Sequence, residues 1–150
     1  MTAVRLLILN GPNLNLLGQR QTDIYGTQTL ADIEAACTEY AQSRGCAVEC
    51  RQSNHEGQLI DWIHEARAAF DGVIINAGGF THTSIALRDA LLALEKPVIE
   101  VHLSNIYRRE EFRHHSYLSA AVVGVICGLG LRGYLAAIDA LADTLKKEAS

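Results

Sequence analysis

Lysine is nearly missing from this chain of 150 residues: Lys96, Lys146 and Lys147 are the whole set. Long apolar runs are missing too. A membrane helix needs about eighteen consecutive apolar residues, and none occurs. The earliest apolar run, "LLIL", breaks off at Asn10-Gly11-Pro12. It is too short for the core of a secretory signal and suits a first strand. Positive charge is not in excess, and the formal net charge is −4. That removes the electrostatic footprint of a nucleic-acid binder. Cysteine is sparse: Cys37, Cys46, Cys50 and Cys127, with His55 as the nearest further ligand type. Finger-like zinc spacing is absent. The four read as small buried hydrophobes in a reducing, cytoplasmic compartment. No repeat, low-complexity tract or linker interrupts the chain.

What is there is ordinary for one globular domain: 49% hydrophobic and 20% charged residues, in a length that supports one real core. Residues 1–150 are therefore read as a single domain. Short apolar runs alternate with helical patterns. Strands are expected at 4–9, 46–52, 72–76, 97–104 and 120–128. Helices are expected in the segments 29–45, 57–70, 83–95 and 131–147 from apolar residues recurring every three or four positions. Gly45 is the expected stop of the first helix, and Thr81 or Thr83 the expected N-cap of the third. The segment 105–119 is polar and reads as a short helix plus loop. Strands apolar on both faces and separated by helices imply a parallel sheet covered on both sides. Five of them in this length suggest a flavodoxin-like three-layer α/β sandwich with strand order 2-1-3-4-5.

Ligands of such a sheet bind beyond the C-terminal ends of the strands. The unusual polar residues fall there. The first strand runs out at Asn10 and Asn13, and the third at Asn76, followed by "FTHTS" with His82. The fourth carries Glu100, His102 and Ser104 at alternate positions, hence on one face. A carboxylate and an imidazole within an apolar strand are costly unless paired. Glu100 is expected to hold one nitrogen of His102, either as a structural pair or to fix its tautomer and raise its basicity. His82 stands at a helix start, either solvated or near an anion site. Asp89 pairs with Arg88 or with a surface partner. Arg109 and Arg113 repel unless Glu110, Glu111 or a bound anion answers them. His55, His64, His114 and His115 read as surface or core residues.

Several function classes lack their residues. Phosphotransfer modules of this fold need aspartates at the ends of strands one and three, where asparagines stand. Nucleotide or flavin binding wants a glycine-rich turn after the first strand, and "NGPNLNLLG" has no G-x-G-x-x-G. Lys96 precedes the fourth strand at the wrong end of the sheet, so imine chemistry has no nucleophile. That leaves acid–base chemistry on a small polar substrate, through an enolate, or a non-catalytic module binding a small ligand. The polar loop "GQRQTDIYG" (18–26) supplies a phenol, Tyr25, and a cation, Arg20, that favours the phenolate. The pair makes a base; His102 with Glu100 makes an acid; the asparagines hold hydroxyls or polarise a carbonyl through water.

Six motifs carry a resemblance: "LILNGPNLNLLG", Arg20 with Tyr25-Gly26, "DWIHEA", "VIINAGGFTHTSIALRDAL", "PVIEVHLSNIYRREEFRHHSYLS" and "GVICGLGLRGYLAAIDAL". In order and across nearly the whole chain, they resemble the type II 3-dehydroquinate dehydratases. The resemblance implies anti elimination of water from 3-dehydroquinate to give 3-dehydroshikimate, without metal or organic cofactor. It implies that Tyr25 removes the C2 proton with help from Arg20, and that Asn13 holds a water on the enolate. His102, oriented by Glu100, protonates the leaving C1 hydroxyl. Asn76, His82, Ser104, the Leu103 amide and Arg113 match substrate-binding positions, with Arg113 on the carboxylate. Asp89 matches a residue reaching a neighbouring subunit's site in a homo-dodecamer built of trimers. The segment 18–26 becomes a lid over the site. One departure falls inside it: where the family has glutamate and then proline after the arginine, this chain has Gln21 and Thr22. The expectation is a more mobile lid in which Arg20 has lost a local partner.

Overall fold

The computed structural model describes residues 3–149, with side chains described through residue 146. Five strands form one all-parallel sheet: β1 (Val4–Asn10), β2 (Cys46–Gln52), β3 (Gly72–Asn76), β4 (Val98–His102) and β5 (Gly124–Cys127), in the order β2-β1-β3-β4-β5. A one-turn helix α1 (Thr22–Tyr25) precedes α2 (Leu30–Ser43), α3 (Glu56–Ala69), α4 (Ile85–Leu94) and α5 (Leu131–Ala149). No helix among the described residues is long and apolar enough to cross a membrane.

The three-layer arrangement follows from strand alternation. Leu6 and Ile8 of β1 face a core shared with Ile33, Cys37 and Ala41 of α2 and Tyr134, Ile138 and Leu141 of α5. Leu7 and Leu9 face the opposite core, with Leu59 and Ile63 of α3 and Leu87 and Leu91 of α4. Each fully buried Leu or Ile contributes about 1.5–3 kcal/mol relative to exposure, so β1, buried on both faces, anchors the sheet. Helix α2 opens with a reciprocal capping box between Thr29 and Asp32 and stops at Gly45, as its sequence suggests.

Several boundaries differ from the sequence reading. The N-cap of α4 is Ser84, whose hydroxyl accepts from the Leu87 amide at 2.9 Å. Thr81 and Thr83 instead belong to, and close, a preceding 3-10 turn (Gly78–His82). Strand β4 ends at His102, beyond which the Gly128 and Gly130 amides donate to the His102 and Leu103 carbonyls. Strand β5 begins only at Gly124, since Ser119–Ala121 forms a 3-10 turn. The segment 105–119 holds two further 3-10 turns, Ile106–Arg108 and Glu111–Arg113. Arg109 and Arg113 therefore do not share a helical face.

Two loops cross at the C-terminal edge of the sheet. Asn10 and Asn76 lie opposite each other in the β1–β3 register. Beyond them, the Gly11 amide donates to the Asn76 carbonyl at 2.8 Å. A β-carbon on Gly11 would stand 2.4 Å from the Ala77 carbonyl oxygen. Only glycine permits this crossing, and the crossing delivers both loops to one cleft.

Candidate active site

The cleft encloses about 180 Å³ and is lined by the ends of β1, β3 and β4 and by the 18–26 segment. Of the residues expected from sequence, Asn13, Arg20, Tyr25, Asn76, His102, Leu103, Ser104 and Arg113 line it. Glu100 stands directly behind His102. His82 stacks on the His102 ring at 6.4 Å between centroids. Asp89 lies on the exposed side of α4, and this chain alone does not bring it into the cleft.

The first half of the site is buried in the sheet. Glu100 is fully buried, and its Oε2 meets His102 Nε2 at 2.5 Å. The other oxygen accepts from the hydroxyls of Ser116 and Ser119 at 3.1 and 3.0 Å. Ser116 also accepts from the Leu118 and Ser119 amides, which commits its own hydrogen to Glu100. Both oxygens of the carboxylate are thus hydrogen-bonded, as a buried charge requires. With Nε2 engaged, Nδ1 is the imidazole nitrogen left for proton transfer. His82 Nδ1 donates to the His115 carbonyl at 2.8 Å, leaving its Nε2 as an acceptor. Burial first, and then the neighbouring His102 and Arg113 charges, outweigh that bond and hold His82 below its usual value, in the neutral form.

The second half is exposed. Gly18 and Gly26 bracket the 18–26 segment with φ of +86° and +79°. A β-carbon on Gly18 would lie 2.9 Å from the Thr27 carbonyl oxygen, so the two stems of the loop touch. Such closed-ended compact loops are Ω-like. Tyr25 is half-buried, and Arg109 Nη1 donates to its hydroxyl oxygen at 2.6 Å. Arg109 and Arg20 both lie by the ring, at 5.2 and 5.4 Å from its centroid. The sequence reading assigned the cation to Arg20; the group that touches the phenol oxygen is Arg109. Arg109 Nε is buried with no acceptor among the described residues. Arg20 instead donates to Gln21 Oε1 at 2.7 Å. It has therefore kept a local partner, although a neutral one, and that part of the lid expectation is corrected. Gln21 adopts a left-handed conformation at φ 45°, and Thr22 is the first helical residue of α1.

The remaining groups are held by contacts that the sequence reading missed. Asn13 has a left-handed backbone, and its amide donates to Asn54 Oδ1. Gln52 Nε2 donates to the Gly11 carbonyl and to Asn54 Oδ1. The end of β2 thus braces the loop carrying Asn13. Arg113 Nε bonds to Glu110, which answers one of the two neighbouring arginines. The cysteines are free among the described residues. Cys37 and Cys50 are pushed up to about 12 by burial, so they stay neutral hydrophobes. Lysine does not line the cleft among the described residues.

The fold and site together define a flavodoxin-like α/β protein with a cleft of ionisable and polar residues at the C-terminal edge of its sheet. A family model described as dehydroquinase class II matches residues 4–142. A relative from Ruegeria pomeroyi named 3-dehydroquinate dehydratase is 57% identical over 143 residues, covering 95% of this chain and 96% of its own. One from Pseudomonas putida named 3-dehydroquinate dehydratase 2 is 55% identical, covering 97% of each chain. The crystal structure of type II dehydroquinase from Butyrivibrio crossotus matches with a TM-score of 0.91 at 48% identity, covering 93% of this chain and 97% of that one. This chain belongs to the class II dehydroquinase family.

Proposed function

We infer that this chain is a 3-dehydroquinate dehydratase, a hydro-lyase that removes water from 3-dehydroquinate to give 3-dehydroshikimate. The observation that carries this reading is one cleft lined both by a buried carboxylate–imidazole pair and by a phenol under two guanidinium groups. In this reading Tyr25 removes the C2 proton as a general base, and the resulting enolate is held through water by Asn13. His102, held by Glu100, gives a proton to the C1 hydroxyl as it leaves. One proton is taken and one is given, so the net product is water. Arg20 and Arg109 supply positive charge where the phenolate forms. Asn76, His82, Ser104 and the Leu103 amide bind the substrate, and Arg113 takes its carboxylate. The enzyme serves aromatic biosynthesis or quinate breakdown, since the same step belongs to both.

Residues 1–150 act as one catalytic unit, with 18–26 as a lid that closes over substrate. Asp89 completes a neighbouring subunit's site within a homo-dodecamer of trimers. Two features support this: the buried Arg109 Nε, which a carboxylate would satisfy, and the exposed Ile85 and Leu92 on the helix that carries Asp89. The free thiols, two buried and two partly buried, suit a cytoplasmic setting.

The test is to add 3-dehydroquinate and follow the ultraviolet absorbance of the conjugated enone. Appearance of the signal is expected, and it should survive borohydride because no imine forms. A folded protein that binds substrate without producing the enone would be a binding module instead.

A further inference from the structure

Beneath the cleft lies a polar knot of which the proposed reaction uses only Asn76. Tyr134 projects from α5 to the C-terminal edge of the sheet and is fully buried, as is Asn10; Asn76 is 4% exposed. Asn76 Nδ2 donates to the Tyr134 oxygen at 2.9 Å, and the Tyr134 hydroxyl donates to Asn10 Oδ1 at 2.6 Å. The Gly78 amide donates to Asn76 Oδ1 at 3.2 Å. Asn10 Nδ2 is buried with no acceptor among the described residues.

These bonds have one consistent direction, and it starts at the backbone. The Gly78 N–H is only a donor, so the group of Asn76 facing it must be the carbonyl oxygen. That turns Asn76 Nδ2 toward Tyr134, whose oxygen must accept. The single hydroxyl hydrogen is then free to go only to Asn10, whose oxygen must face it. The Asn10 amino group is what remains, and it is the group found without an acceptor. Reversing Asn10 would point a second N–H at the phenol oxygen and leave the hydroxyl hydrogen without an acceptor. Burial holds the Tyr134 phenol above its usual value, so it stays protonated and keeps this order at any working pH.

Asn76 and Gly78 line the cleft. One Nδ2 hydrogen of Asn76 is taken by Tyr134, and one Oδ1 lone pair by Gly78. The second hydrogen and second lone pair are what the amide can offer a ligand. We propose that Tyr134, oriented by Asn10, is a positioning residue that holds the amino end of Asn76 while the Gly78 amide holds its oxygen, the two together locking the amide in one orientation and fixing which end donates and which accepts toward a substrate hydroxyl. This rests on Asn76 binding substrate.

The test is a double-mutant cycle of Tyr134→Phe with Asn76→Ala, reading KM and kcat for 3-dehydroquinate alongside thermal unfolding. Tyr134→Phe keeps the ring and removes one oxygen. It is expected to raise KM about tenfold, the worth of one well-placed hydrogen bond, with a smaller change in kcat. In the Asn76→Ala background it should raise KM no further. Independent, multiplying effects, or a lowered melting temperature with KM unchanged, would overturn the inference. Asn10→Leu is the second variant: it leaves the phenol hydrogen no acceptor but Asn76 and should raise KM similarly. The side-chain amide resonances of Asn76 read the lock without turnover. They should broaden or shift into two orientations in Tyr134→Phe, and a single unchanged orientation would overturn the proposal. If Asn76→Ala alone leaves KM unchanged, the substrate-binding role of Asn76 fails; the resonances still report whether the lock exists.

Discussion

The two halves of the cleft are built in opposite ways. His102 is on a central strand, 5% exposed, against a carboxylate whose remaining oxygen is claimed by two serines. Tyr25 is on an exposed one-turn helix between two positive-φ glycines, and its hydroxyl meets one guanidinium. On the proposed roles, the acid is preorganised by the sheet, where rigid elements hold geometry best. The proposed base comes with a loop, where opening is cheap and substrate can enter. On those roles, orientation limits the His102 half, whereas loop closure limits the Tyr25 half.

The largest expected effect is on the lid. Tyr25→Phe removes the base and should lower kcat by about 10³-fold, within the range of general acid–base catalysis, while substrate still binds by calorimetry. Substantial residual turnover would move the base elsewhere. Next is Arg109→Met, which keeps the length but removes the charged bond to the phenol oxygen. A loss of about 10- to 100-fold in kcat/KM is expected, and no loss would return the whole charge role to Arg20. Smaller still is the double change Gln21→Glu with Thr22→Pro. Proline suits the first helical position and pulls Gln21 out of its left-handed backbone, while glutamate gives Arg20 a charged partner. KM should fall about two- to threefold as the open loop loses conformations; an unchanged or higher KM would count against a mobility-limited lid.

The smallest effect tests the rigid half through pH. His82 is held below 6.5 in the fold, chiefly by burial. A depressed folded value means that the unfolded chain binds the proton more readily. The stability from neutral His82 is therefore complete above about 6.5 and is lost as pH falls through the lower folded value. Chemical denaturation between pH 7.5 and about 5 should show a shallower loss in His82→Gln than in the unsubstituted protein. Identical slopes would mean that His82 is not held neutral by its surroundings.

The rigid half was also the more legible. Glu100 and His102 alternate in an apolar strand, and that alternation alone put them together on one face. Strands 46–52 and 72–76 match their expected bounds, because a glycine stands at or just before the start of each and polar or small residues follow its end. The Tyr25–Arg109 bond joins residues 84 apart, and Tyr134 and Asn10 are 124 apart. No local pattern encodes such pairs. The available signals were indirect: a tyrosine within the apolar stripe of the last helix, two serines in "HHSYLS", and Arg109 lacking a helical reason for its place. The α4 cap was misread because Thr81, a good cap by type, is spent inside a tight turn.

The division of labour between the halves is tested most directly by hydrogen exchange at C2 of 3-dehydroquinate in heavy water, followed by proton NMR alongside enone formation. His102→Ala should still exchange the C2 hydrogen while forming enone far more slowly, because the lid base remains and only the acid is gone. Tyr25→Phe should do neither. Exchange that persists in Tyr25→Phe, or that vanishes in His102→Ala, would contradict the assignment of base to lid and acid to sheet.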